Sequence, residues 1–160
     1  HALRTPNDPL YRNQYHYNDI NLPQAWDITT GSRAGGGNVI VAVLDTGVFL
    51  AHPDLSNQLV SGYDFISDKT NANDGNGIDS NPDDPGDSTQ RGGSSWHGTH
   101  VSGTVAAETN NNTGGAGVSW SAKIMPVRVL GIRKGMSAEI IDSIFFNSLH
   151  KQVRNPKSQE

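Results

Sequence analysis

Two short stretches hold the residues best suited to chemistry. Val39-Ile40-Val41-Ala42-Val43-Leu44-Asp45-Thr46-Gly47-Val48 ends an apolar run on one carboxylate. Ser94-Ser95-Trp96-His97-Gly98-Thr99-His100-Val101 places a histidine where a loop rich in Gly and Asp turns into a helix. A histidine in the first turn of a helix, followed by small residues, can present its ring to a cleft without crowding. That makes His97 a candidate general base. Asp45 is its candidate partner. An Asp after an apolar strand is, taken alone, more often a turn or cap residue, so the assignment rests on both stretches together. His97 and His100 are spaced i, i+3, which raises the question of zinc. No Glu stands in HExxH spacing, and zinc is set aside on that ground.

These groups need buried elements to position them. Val39 to Leu44 is a continuous, β-branched apolar run without alternation, which predicts a strand buried on both faces at the centre of a parallel sheet. Asp45 then falls at the carboxyl end of a central strand, the edge where open α/β sheets bind ligands. Residues 59–66 alternate and predict a second, less buried strand. Residues 122–130 predict a third, and Pro126 argues for an irregularity or a less central place. His97 to Glu108 predicts the helix, with Val101, Thr104 and Val105 on its packed face. Gly98, Ser102, Gly103, Ala106 and Ala107 permit close packing there, and tertiary contacts must hold a helix of such weak propensity. His100 is expected to pack or hydrogen-bond inside it.

Residues 20–28 predict a short helix with Asn21 as N-cap and Pro23 near the first turn. Residues 137–150 predict another, capped by Ser137 and with Ile140, Ile141, Ile144, Phe145 and Leu149 as its apolar face. Pro6 and Pro9 disfavour regular structure in residues 1–20, which read as an arm on the domain surface. Residues 67–96 read as a long irregular loop, a length that is usually functional or disordered. Residues 151–160 are polar and read as a frayed end. The order β-β-α-β-α predicts one α/β domain with a parallel sheet and a core over residues 21–150. Three strands are few for such a sheet, so the fold is expected to be incomplete.

Composition narrows the function classes. The 160 residues carry a net charge of -4, with 34% hydrophobic and 18% charged residues. There is no basic face to suit nucleic acid or an anionic membrane. No cysteine is present, so no disulfide framework exists. No apolar run reaches transmembrane length. The chain starts at His1 without a signal-like apolar segment, which fits a processed start or an excised fragment and agrees with export. The acidic residues concentrate between Asp64 and Asp87. In Asp74-Gly75-Asn76-Gly77-Ile78-Asp79 and Asn81-Pro82-Asp83-Asp84-Pro85-Gly86-Asp87, oxygen side chains recur with glycines that allow tight turns, which suits Ca²⁺. The segment is not an EF-hand, because it lacks the closing Glu and a preceding helix. A merely solvated acidic surface is the plain alternative. Asn111-Asn112-Thr113 forms a glycosylation sequon, a match that polar loops produce by chance.

At Asp45-Thr46-Gly47 and His97-Gly98-Thr99-His100-Val101 the chain resembles the subtilisin-like serine proteases, most closely the large-loop secreted bacterial members. The likeness extends in order through Asn7-Asp8-Pro9, Gln14, residues 22–26, His52-Pro53-Asp54-Leu55, Gly62-Tyr63-Asp64-Phe65 and Val127-Arg128-Val129-Leu130-Gly131. The resemblance implies the family's three-layer parallel-sheet fold and serine endopeptidase activity outside the cell. It assigns Asp45 and His97 to a Ser-His-Asp triad, with His97 as base and Asp45 fixing its tautomer. The family's nucleophile lies in a later Gly-Thr-Ser-Met-Ala motif, and its side-chain oxyanion donor is a later Asn. No such serine motif occurs in these 160 residues, where Ser94, Ser95, Ser102 and Ser148 lie in no nucleophile motif. The resemblance therefore implies an amino-terminal half, completed by a C-terminal fragment or chain that carries the serine.

The resemblance also implies calcium. The family's strong site maps onto the side chains of Gln14, Asp54 and Asn111 and the carbonyls of Thr109, Thr113 and Gly115. A second site would use Asp74, Asp79, Asp84 and Asp87. A polypeptide substrate would add as a strand along Arg133-Lys134-Gly135, although Arg133 and Lys134 also read as ordinary surface charges. Two function classes remain open. One is a secreted serine endopeptidase, and the other is a catalytically incomplete calcium-binding remnant or interaction domain.

Overall fold

A computed structural model of the chain describes residues 4–33, 35–89, 93–133, 140 and 142–144. The element order is α1 (His16–Asp19), α2 (Leu22–Ile28), β1 (Ile40–Asp45), β2 (Tyr63–Asp64), α3 (Lys69–Ala72), α4 (His97–Ala106) and β3 (Lys123–Arg128), with 3-10 turns at Tyr11–Asn13 and Ser56–Gln58. The three strands form one parallel sheet in the order β1-β3-β2. Helix α4 covers one face, where Val43, Ala106, Ala122 and Ile124 are buried and Val41, Leu59, Val101 and Val105 pack against them. On the other face Phe65, Val127 and Val129 are buried, with Ala42, Leu44, Tyr63, Met125, Leu130 and Ile140 around them.

The expectation that Pro126 marks a less central strand is not met among the described residues. Among the described residues β1 lies at one side of the sheet, and β3, with its proline, lies in the middle. The backbone hydrogen bonds give the reason. Lys123 N and Val129 N donate to Val39 O and Asp45 O, so the odd-numbered residues of β3 bond towards β1. Ile124 O and Arg128 O accept from Val60 N and Phe65 N, so the even-numbered residues bond towards β2. The missing N–H of Pro126 therefore falls on the β2 side, where pairing extends only over Tyr63 and Asp64. An unbroken apolar run reports that both faces of a strand are covered. It does not report how many neighbours lie along its edges.

Other elements depart from expectation in smaller ways. The second strand is short, because the chain touches β3 at Leu59 and pairs again only at Tyr63–Asp64. Asn21 does stand at the N-cap of α2, but it caps through a left-handed backbone (φ 55°) and its side chain makes no cap hydrogen bond. The N-terminal arm is not merely superficial. Tyr17 and Trp26 are both 1% exposed and form a third apolar cluster with Leu22 and Ala116. Two hydrogen bonds fix that cluster, from Tyr17 Oη to Ala116 O (2.7 Å) and from Trp26 Nε1 to Val118 O (2.8 Å). The long loop contains α3, capped by the Asp68 carboxylate through Thr70 N and Asn71 N. The helix expected over residues 137–150 lies largely outside the described residues, of which 140 and 142–144 are helical.

Candidate active site

The turn after β1 and the start of α4 meet because both are built for close approach. A Cβ on Gly98 would stand 2.1 Å from Gly47 O and 3.1 Å from the Asp45 Cβ. Gly47 itself has φ +95°, and a Cβ there would meet Pro82 O at 2.6 Å. Trp96, at the N-cap of α4, has a left-handed backbone (φ 54°) that turns the loop into the helix. His97 and Gly98 are therefore delivered directly over Asp45.

His97 Nδ1 lies 2.8 Å from each carboxylate oxygen of Asp45. A carboxylate only accepts, so Nδ1 carries the proton, and Nε2 of the neutral ring is left with a free lone pair. Asp45 Oδ1 also accepts from Thr46 N at 2.8 Å, which fixes the carboxylate. The Asp45 side chain is 10% exposed and the His97 side chain 64%, so the acid is enclosed and the base faces outward. A cleft of about 410 Å³ opens beside the ring, lined by Thr46, Asp87, Ser95, His97, Leu130, Gly131 and Ile132. The cleft's far wall is tied to the same strand end, because Val129 N and Leu130 N both donate to Asp45 O (2.9 and 3.2 Å). Chemically, this pair can take a proton from a group placed at Nε2 and hold the resulting imidazolium against Asp45.

The remaining residues expected to serve a site divide sharply. Gln14, Asp54, Asn111 and Gly115 are brought together. Asn111 Nδ2 donates to Asp54 Oδ1 (2.8 Å), Gly115 N donates to Asp54 Oδ2 (3.0 Å), and Gln14 Oε1 accepts from Ala116 N (2.9 Å). Thr109 and Thr113 belong to the same loop, with Thr113 N donating to Asn111 Oδ1 and Gly117 N to Thr109 Oγ1. Burial raises the Asp54 carboxyl above its usual range, and the bonds from Asn111 and Gly115 oppose that rise. A Cβ on Gly114 would stand 2.1 Å from Asp54 Oδ2, and one on Gly115 would stand 3.1 Å from Gln14 Oε1. The result is a polar cradle, closed by glycines, around a desolvated carboxylate whose hydrogen-bond donors are neutral. This donor chemistry fits a hard cation such as Ca²⁺.

The second set is a correction. Asp74, Asp79, Asp84 and Asp87 do not converge, and among the described residues no group of three or more His, Cys, Asp or Glu side chains could hold a metal ion. Their hydrogen bonds run to separate partners. Asp74 accepts from Arg128 Nη1 (2.9 Å), Asp79 from Asn76 Nδ2 and Asn81 N, Asp84 from Thr46 and Ser94, and Asp87 from Ser95. Burial acts to raise the Asp87 carboxyl, but the Ser95 hydroxyl and N–H outweigh it and hold the group below its usual range. Arg133 is exposed, and its N–H donates to Asn71 Oδ1 (2.7 Å). Lys134 and Gly135 lie outside the described residues. His100 is not packed inside its helix. It is exposed and lines a separate groove of about 620 Å³ with Phe49, His52 and Trp96. Thr104 is likewise exposed, its hydroxyl donating to His100 O.

Sequence reasoning missed Thr46, Ser94 and Ser95 as site residues. Their signal was position, immediately after Asp45 and immediately before His97, and not residue type.

Comparison with known proteins identifies the family. The chain is 47% identical to an extracellular protease of Xanthomonas campestris pv. campestris, over 92% of this chain and 27% of that protein. It is 43% identical to an extracellular basic protease of Dichelobacter nodosus (89% and 26%) and 42% identical to thermitase of Thermoactinomyces vulgaris (79% and 37%). Among solved structures, a protease of Pseudoalteromonas arctica superposes with a TM-score of 0.79 at 50% identity, covering 88% of this chain and 43% of that one. The chain thus spans about a quarter to a third of these curated relatives and less than half of the solved chain. The subtilase family model matches residues 36–154, which takes in both Asp45 and His97, and the chain belongs to the subtilase family.

Proposed function

We propose that this chain supplies the acid–base half of a serine endopeptidase. The observation that carries the reading is the placement of His97 Nδ1 at 2.8 Å from both oxygens of an enclosed carboxylate, with the opposite ring edge facing a cleft. In the mechanism, His97 Nε2 removes the proton from a serine hydroxyl as it attacks the peptide carbonyl. It then returns that proton to the leaving amine. Asp45 holds the productive tautomer and stabilises the imidazolium, without itself being protonated. The serine and the oxyanion donor would come from residues outside these 160, in keeping with the greater length of the relatives. The substrate is a polypeptide, entering the cleft between His97 and Leu130–Ile132. Relatives named as extracellular proteases support a location outside the cell.

Calcium would be held by the side chains of Gln14, Asp54 and Asn111 and the carbonyls of Thr109, Thr113 and Gly115. Its charge would neutralise Asp54 and tie the N-terminal arm to the loop after α4, a role in stability and not in proton transfer. Chelation is then expected to lower the melting temperature, because an ion that binds only the native state stabilises it by mass action.

A fluorophosphonate probe tests the activity. The intact protein should label, and His97→Ala should not. Folded, intact protein that fails to label overturns the endopeptidase reading and favours the calcium-binding interaction domain, to which the buried carboxylates Asp8 and Asp54 would belong (4% and 5% exposed).

A further inference from the structure

The acidic loop is not gathered for a metal, yet one of its carboxylates is nearly inaccessible. Asp84 is 5% exposed, and its partners come from both sides of the active site. Oδ2 accepts from Thr46 Oγ1 (3.2 Å) and from Ser94 Oγ (2.9 Å), while Oδ1 accepts from Gly86 N (2.8 Å). Its backbone is fixed as well. Asp84 N donates to Val48 O and Val48 N to Pro82 O, so this segment runs alongside the turn after Asp45.

Thr46 is where these bonds reach the reacting groups. Its N–H donates to Asp45 Oδ1 (2.8 Å), and its hydroxyl oxygen accepts from Gly98 N (3.1 Å), one residue beyond His97. A hydroxyl has a single proton. The Gly98 N–H occupies a lone pair, and the Asp84 carboxylate can only accept, so the proton points to Asp84. Asp84 thereby selects the one hydroxyl orientation that leaves a lone pair for Gly98. Ser94, held by the same carboxylate oxygen, accepts from Trp96 N (3.0 Å) and sets the left-handed entry to α4.

We propose that Asp84 is a positioning residue for the Asp45–His97 pair, acting through Thr46 and Ser94 to keep the strand end and the helix start in register. A displacement far smaller than a residue suffices to disable such a pair, since hydrogen bonds weaken steeply with misalignment. Asp84 touches neither substrate nor the reacting atoms.

The inference rests on the endopeptidase reading for its kinetic readout but not for its spectroscopic one. In the intact protein, Asp84→Ala is expected to lower kcat for a peptide substrate by about 10- to 100-fold with KM within about twofold. The downfield proton resonance of the His97 Nδ1–H in the Asp45 hydrogen bond should broaden or vanish. Thr46→Val should reproduce both effects, the double variant should lose no more than the worse single one, and Thr46→Ser should restore kcat towards the parent. An unshifted resonance in Asp84→Ala, losses that add in the double variant, or a loss carried by KM overturns the proposal. Should Asp84→Ala not fold, Thr46→Val decides, since it keeps the side-chain shape and removes only the hydroxyl. A parent protein that cleaves no peptide sinks the endopeptidase reading, and the resonance still decides the positioning role.

Discussion

Two aspartates stand at the carboxyl ends of the two strands that flank β3, and both are in register with the same arginine. Asp45 closes β1, Asp64 closes β2, and each is opposite Arg128 of β3. Register partners on parallel strands point to the same side, so the three form a row along one sheet edge. Their fates differ. The Arg128 guanidinium turns to Asp64 (2.5 Å) and Asp74 (2.9 Å) and bonds to Ala72 O, leaving Asp45 to His97. The Asp64 side chain is 0% exposed and that of Arg128 1%, whereas His97 above Asp45 is 64% exposed. One carboxylate has a partner that can exchange protons with a cleft. The other has a permanent cation, sealed in the core. Being at the ligand-binding edge does not make a carboxylate functional; the nature and exposure of its partner do.

Breaking the two pairs should therefore have opposite signatures. His97→Ala should cost about 10²- to 10⁴-fold in kcat for a peptide substrate, the usual worth of a positioned acid–base group. It should change stability by less than about 0.5 kcal/mol, as expected of an exposed side chain. Arg128→Met should do the reverse. It leaves Asp64 buried without its cation, and chemical denaturation should show a loss of about 3–5 kcal/mol. Equal stability losses in the two variants would erase the distinction.

Titration sharpens the contrast. Burial raises the Asp64 carboxyl from 3.8 to about 6, against the opposing pull of Ile66 N and Arg128. The native state then binds the proton more readily than the unfolded chain does. The contribution of this group is fully present below about 3.8 and is lost as pH rises through about 6. The melting temperature of Asp64→Asn, measured relative to the parent, should rise across that window. A relative fall would mean that the guanidinium outweighs desolvation.

The smallest effect is expected at Gly103 of α4, and Gly98 in the same helix is its opposite. Gly103 has nothing within 4 Å of where a Cβ would stand, so Gly103→Ala should stabilise the protein by about 0.5–1 kcal/mol. Gly98→Ala should destabilise it and reduce fluorophosphonate labelling, because its Cβ would enter Gly47 O. A stabilising Gly98→Ala would show that the contact between turn and helix is slack.

Much of this was legible in the chain itself. Local residue type determined β1, α2 and α4, the parallel α/β class, and the pair Asp45 and His97, because burial of a strand and the opening of a helix leave short-range patterns. The resemblance in motif order also grouped Gln14, Asp54, Asn111 and Gly115, which the fold brings together. Tertiary structure decided what depends on long-range pairing. It placed Pro126 on a strand paired along both edges, since only the direction of its missing N–H matters and that direction is fixed by register. It also dispersed the four loop aspartates, since a carboxylate reads the same in sequence whether it awaits a cation or accepts from Arg128, Thr46 or Ser95. Asp45 and Asp64 are the clearest instance. Both are Asp at the end of a strand, and only the path of one arginine side chain left the first to His97 beside a cleft and made the second part of the core.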